Sequence, residues 1–90
     1  MTTNRFRKDP ADVLDYSVNW TAWLGTDTIT ASTWDVPTGI TKVSDTHTTT
    51  AATIWVSGGD VGATYLLTNQ VVTQGGRTAE RSITLAVEDR

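Results

Sequence analysis

Apolar and polar residues alternate in YSVNW (16–20), placing Tyr16, Val18 and Trp20 on one face and Ser17 and Asn19 on the other. That period of two is the mark of a half-buried strand. DTITASTWDV (27–36) carries the same kind of pattern, but its apolar phase slips between Ile29/Ala31 and Trp34/Val36, which predicts a bulge or bend. Pro37-Thr38-Gly39 then ends the segment as a turn. ITKVSD (40–45) and AATIWVS (51–57) follow as strands separated by the polar THTTT, and Gly58-Gly59-Asp60 turns the chain again. The strongest signal is the last. TYLLTNQVVT (64–73) and ERSITLAVED (80–89) flank QGGR, a glycine-rich hairpin turn. Tyr65, Leu67 and Val71 point inward on the first strand, and Ile83, Leu85 and Val87 on the second. Ahead of all these, KDPADVLDY has the makings of one helical turn, with Asp9 as cap, Pro10 at the first helical position and Asp12 as the capping-box acid.

Six to seven short antiparallel strands, turn signals every eight to twelve residues and no helix longer than a turn predict an all-β sandwich of the small immunoglobulin-like kind. Tyr65 supports the immunoglobulin-like version. It opens the penultimate strand two residues before the inward Leu67, the place of a tyrosine corner.

The chain has 90 residues, no cysteine and a hydrophobic content of 38%. One domain of this size has neither a disulfide nor a thiolate metal site to hold it, so its large apolar side chains must be buried economically. Each buried tryptophan removes roughly 200 Å² from water, about 5 kcal/mol. Of the four tryptophans, Trp20 and Trp34 are therefore assigned to the core. Trp55 lies between Ile54 and Val56 and points opposite to them; it and Trp23 are candidate anchors for a protein partner, since aromatic rings at contact centres dominate interface energetics. Charge is uneven as well. Arg5, Arg7 and Lys8 stand in the first eight residues, while the other 82 carry four positive against ten negative charges, a net of −6. Residues 1–8 thus read as a flexible, extended basic arm on a single domain of residues 9–90. Such an arm can dock on an acidic surface, including another copy's body. Deleting it is then expected to leave the domain folded and to weaken its incorporation into an assembly.

Little here supports catalysis. His47 is the single histidine, and neither a cysteine nor a G-x-S-x-G elbow accompanies it. Asp9, Asp12 and Asp15 recur every third residue without the alternating ligands and central glycine of a calcium loop. Neither glycine pair opens a helix as a phosphate-binding loop must, and Glu80 and Glu88 both fall on the outer face of the last strand. No catalytic, cofactor-binding or metal-binding residue is assigned, and no cofactor is expected. An acidic body makes nucleic acid a poor partner. No run of about 18 apolar residues is available to span a membrane, and MTTNRFRKDP lacks the apolar stretch of a signal peptide, which points to synthesis in the cytoplasm.

The segments DPADVLDYSVNW-x-x-WL, DTITASTW, VSGG-x-x-G-x-x-Y and T-x-GGR-x-x-ERSI, taken in order over residues 8–89, resemble the small immunoglobulin-like virion proteins of tailed bacteriophages, nearest to the fiber-tail adaptor type. The resemblance implies a structural virion protein, made in the host cytoplasm, that links tail or fiber components through contacts with other virion proteins and with copies of itself. The alternatives are a capsid decoration protein, a carbohydrate-binding module using Trp23 and Trp55 as coplanar platforms, and a host-directed inhibitor absent from particles.

Overall fold

A computed structural model describes residues 4–88, and in it nearly every alternating segment is a strand. The order is β1 (Asn4–Lys8), β2 (Leu14–Asn19), a single helical turn α1 (Thr21–Leu24), β3 (Ile29–Asp35), β4 (Ile40–His47), β5 (Ala51–Gly58), β6 (Thr64–Thr73) and β7 (Thr78–Val87). They form two layers, a four-stranded sheet in the order β1-β7-β6-β3 and a three-stranded sheet in the order β2-β5-β4. With strands lettered A to G along the chain, the sheets read A-G-F-C and B-E-D. This is the immunoglobulin arrangement with the first strand moved from beside B to beside G.

The core is made where the period-two faces meet. Tyr16 and Val18 from β2, Ala52, Ile54 and Val56 from β5, Tyr65, Leu67 and Val71 from β6, and Ile83, Leu85 and Val87 from β7 are all buried in one cluster. Trp20 and Trp34 join it, as their phase predicts. Tyr65 does form the corner. Its hydroxyl accepts the Asp60 N–H at 3.0 Å, and its ring lies so close to Gly39 that a Cβ there would sit 3.0 Å from Tyr65 Cε1. The third strand is bulged, but earlier than its apolar phase suggests: the irregularity lies between Ile29 and Ala31, which leaves Ala31 exposed while Ile29 and Trp34 are buried. A second bulge, between Lys42 and Ser44 of β4, has no counterpart in the apolar pattern.

One polar residue interrupts the inward row of β6. Asn69 is fully buried and its amide is satisfied from both layers. Trp20 Nε1 donates to Asn69 Oδ1 at 2.9 Å, while Asn69 Nδ2 donates to Ser32 Oγ at 2.9 Å and to the Thr33 carbonyl at 3.0 Å. A buried amide with its partners in place costs little, whereas the same group unpaired would be expensive.

The expected arm requires correction over residues 4–8. These residues are β1, which lies parallel to β7 with Phe6 opposite Leu85 and Lys8 opposite Val87; residues 1–3 fall outside the described residues. The Phe6 ring packs at 5.1 Å on Tyr16, and the Tyr16 hydroxyl donates to the Arg7 carbonyl at 3.0 Å. Lys8 is 0% exposed. Its ammonium donates to the carbonyls of Gly58 at 2.7 Å, Asp9 at 2.8 Å and Pro10 at 3.5 Å. Burial lowers its pKa, opposed by the nearby charges of Asp12 and Asp9. Three carbonyl acceptors allow a lysine to occupy a place that charge alone would forbid.

The segment expected as a helical turn at 9–12 makes its caps without continuing. Asp9 Oδ1 accepts the Ala11 N–H at 2.8 Å and the Asp9 carbonyl accepts the Asp12 N–H at 3.0 Å. The chain then enters β2, where Leu14 pairs with Val56.

Candidate protein-protein interface

Trp20 and Trp23 flank the start of α1, where Asn19 Oδ1 accepts the Thr21 N–H at 2.9 Å. Their rings meet edge-on at 5.2 Å and 66°. Each is covered by an arginine. Arg77 lies 4.2 Å over Trp23 and Arg81 lies 4.4 Å over Trp20, in the cation–π geometry favoured by guanidinium groups. Arg77 also closes the end of α1, with Nη2 donating to the Leu24 carbonyl at 2.9 Å and Nη1 to the Trp23 carbonyl at 3.4 Å. Its Nε pairs with Asp27 Oδ2 at 3.1 Å. Asp27 in turn accepts the N–H groups of Thr28 and Gly75 at 2.9 and 3.0 Å. The Thr73 hydroxyl first, then these N–H groups and Arg77, hold the Asp27 carboxyl down at about 2 against the opposing effect of desolvation. A shallow groove lined by Leu24, Thr28, Gln74 and Arg77 runs beside this cluster. Trp23 is thus half-buried and packed on the core, with Arg77 over its ring and Trp20 edge-on to it.

Trp55 has different surroundings. It sits at the centre of β5, 39% exposed, on the outer face of the smaller sheet. Register places Asp15 of β2 on one side of it and Ser44 of β4 on the other. The next row pairs Ser17 and Thr46 with Thr53, and the Ser17 and Thr53 hydroxyls hydrogen-bond at 2.7 Å. The direct cross-strand neighbours of Trp55 are therefore short and polar, while Val43 in the β4 bulge and Val13 just ahead of β2 are exposed nearby.

The chain matches the family model for podophage GP4 fiber-tail adaptor protein gp77 over residues 8–86. It belongs to that family. No match was found among curated proteins. Membership makes it a structural phage protein and a component of the virion.

In this gp77-family protein the residues expected to bind partners are scattered. Lys8 is inside and its ammonium is taken up by the protein's own carbonyls. Arg7 is at the surface, its side chain 74% exposed, with Glu88 at 3.8 Å as a distant counter-charge. Arg5 stands on the same strand opposite Thr84. Trp23 belongs to the clamped end, and Trp55 to the opposite layer from β1. Two sheet edges are guarded against pairing. β3 and β4 are each bulged, and β4 also brings the Lys42–Asp45 ion pair, 2.7 Å, to the register side of Val56 and Ile54; bulges and inward charges are recognised defences of an edge strand.

Sequence reasoning missed Asp15 and Arg77. The QGGR pattern marks Arg77 only as the end of a turn, although an arginine ending a hairpin loop is well placed to reach across the end of a sandwich. Asp15 could be found only with the β2–β5 register in hand. His47 is exposed at the end of β4. Among the described residues no group of three or more His, Asp or Glu side chains is arranged to hold a metal ion, and no helix is long and apolar enough to cross a membrane.

Proposed function

We propose that this protein is a non-enzymatic adaptor that joins tail and fiber components of a podophage through protein–protein contacts on the outer faces of its sandwich. Family membership over residues 8–86 carries this reading, and the surface chemistry agrees with it. The Trp55 face presents one large ring between the polar Asp15 and Ser44, with exposed Val13 and Val43 nearby, the composition of an interface anchor with apolar and polar surroundings. Arg7 offers an exposed charge on the opposite layer. Lys8 contributes by securing β1, and Trp23 by holding the end at which Arg77 and Asp27 meet. The contacts are with other tail or fiber proteins and with further copies of this chain, formed after synthesis in the host cytoplasm. Nucleic acid and membrane have no part in it.

Quantitative mass spectrometry of purified particles tests the reading. Copies per particle at the level of tail or fiber proteins are expected. A ratio near that of the major capsid protein would make it a decoration protein, and absence from particles would overturn a structural role.

A further inference from the structure

The molecule builds one motif at its end that it half-builds again on its face. At the end, Trp23 carries the Arg77 guanidinium on its ring at 4.2 Å while Asp27 holds the same guanidinium at 3.1 Å. Trp20 receives Arg81 in like manner at 4.4 Å. On the outer face of the smaller sheet, Trp55 stands beside Asp15, directly opposite it across β2 and β5. Such cross-strand neighbours have Cβ atoms about 5 Å apart. Ring and carboxylate are both present, but the arginine is not. Asp15 is exposed and makes no hydrogen bond or ion pair among the described residues.

We infer that Trp55 and Asp15 form a receptor for an arginine, and that its occupant is Arg7 of a second copy of this chain. This rests on reading the outer faces as contact surfaces and adds which groups meet. Charge complementarity selects the occupant. Residues 9–90 carry a net of −6 while β1 is basic, so the β1 side of one copy is attracted to the Asp15 side of another. Among the arginines whose side chains are described, Arg77 and Arg81 are spent on Trp23, Leu24, Asp27, Trp20 and Asn19. Arg7 is 74% exposed with only Glu88 at 3.8 Å. A guanidinium suits the receptor better than an ammonium because its plane can lie on the indole while its fork meets the carboxylate. Register also puts Arg7 on the outer side of the four-stranded sheet, in the row of Ala86 and Thr64, whereas Trp55 is on the outer side of the other sheet. Donor and receptor lie on opposite layers. One copy can therefore give and receive at once, and the contact is heterologous, repeating from copy to copy until a rotation closes it.

The test is sedimentation equilibrium of the full chain up to about 1 mM, in low and moderate salt. Self-association weakened by salt is expected. Asp15→Asn and Trp55→Ala should each weaken it about tenfold or more, and Trp55→Phe less than Trp55→Ala. Arg7→Ala and Asp15→Arg should each be monomeric alone. Mixed one to one, they should form a pair and stop there, because only one donor and one receptor remain intact. Circular dichroism melts matching the wild type show that the exposed substitutions leave the fold unchanged. A wild type that stays monomeric at about 1 mM, variants that associate like it, or a mixture that stays monomeric would each overturn the inference. Particles that take up Asp15→Arg at the wild-type ratio would overturn it too while leaving the adaptor reading intact; absence of the wild-type chain from particles would overturn the adaptor reading alone.

Discussion

Two buried tryptophans in the same core stand in opposite polar circumstances. Trp20 is 1% exposed and its indole N–H is answered by Asn69 at 2.9 Å. The Trp34 N–H is buried with no acceptor among the described residues. A buried donor without a partner costs about 1–3 kcal/mol, so the two rings should respond differently to the same change. Trp20→Phe leaves Asn69 Oδ1 without its donor as well as shrinking the ring, and should lower the unfolding free energy by about 2–4 kcal/mol. Trp34→Phe loses packing area but also removes an orphaned donor, and should cost about 1 kcal/mol or less. Urea denaturation of both variants measures the difference. The glycines where β5 ends and its loop begins give a second residue-scale contrast. Gly59 has φ +96°, and a Cβ there would stand 2.7 Å from Val87 Cγ2. Gly58, at φ +78°, would meet open space. Gly58→Ala should therefore cost about 1 kcal/mol of backbone strain, and Gly59→Ala roughly 1–3 kcal/mol more from the clash. The same urea titration reads both.

Among the elements, the β6–β7 hairpin is tied to α1 by Arg77 and to the α1–β3 connection by Asp27. Asp27 has a folded-state pKa of about 2 against an ordinary value of 3.8. A carboxyl depressed on folding contributes stability that is complete above the unfolded value and lost as pH falls through the folded one. The wild-type urea midpoint should thus decline between about pH 4 and pH 2. Asp27→Asn, which cannot ionise, should show a lower midpoint at pH 7 and a shallower decline over that range. Most elements of the sandwich were legible in the alternating pattern because Tyr16-Val18-Trp20, Tyr65-Leu67-Val71 and Ile83-Leu85-Val87 can be buried along one face only if the backbone is extended. β1 was not legible. NRFRK shows charge where a strand would show a buried face, and the carbonyl that makes Lys8 tolerable belongs to Gly58, fifty residues on. The Asp15–Trp55 neighbourhood was hidden for a related reason. Phase tells which side of its own strand a residue takes, but β2 pairs with β5 rather than with its successor in sequence.

For the molecule as a whole, residues 4–8 become part of the structure's closure, and they would go with any deletion of residues 1–8. Their removal would take away the buried Lys8 contacts, the Phe6–Tyr16 packing and the edge strand against β7. The deletion should lower the melting temperature by about 10 °C or more, followed by circular dichroism. An unchanged melt would restore the view of these residues as an arm.

The parallel pairing of β1 with β7 also sets a clock. Phe6 and Leu85 face each other across 79 positions of sequence, a highly non-local pairing. Contacts so remote wait on chain closure. During synthesis at roughly 5–20 residues per second, the first strand emerges early and stays without its neighbour until the last has left the ribosome. A chain stopped short of residue 83 has nothing for β1 to pair with, so the Tyr16 hydroxyl has no ordered Arg7 carbonyl to meet and Lys8 no settled place. Synthesis through β7 is in this way a condition for burying Lys8. Only copies in which β7 is in place present the closed surface from which a particle can be assembled.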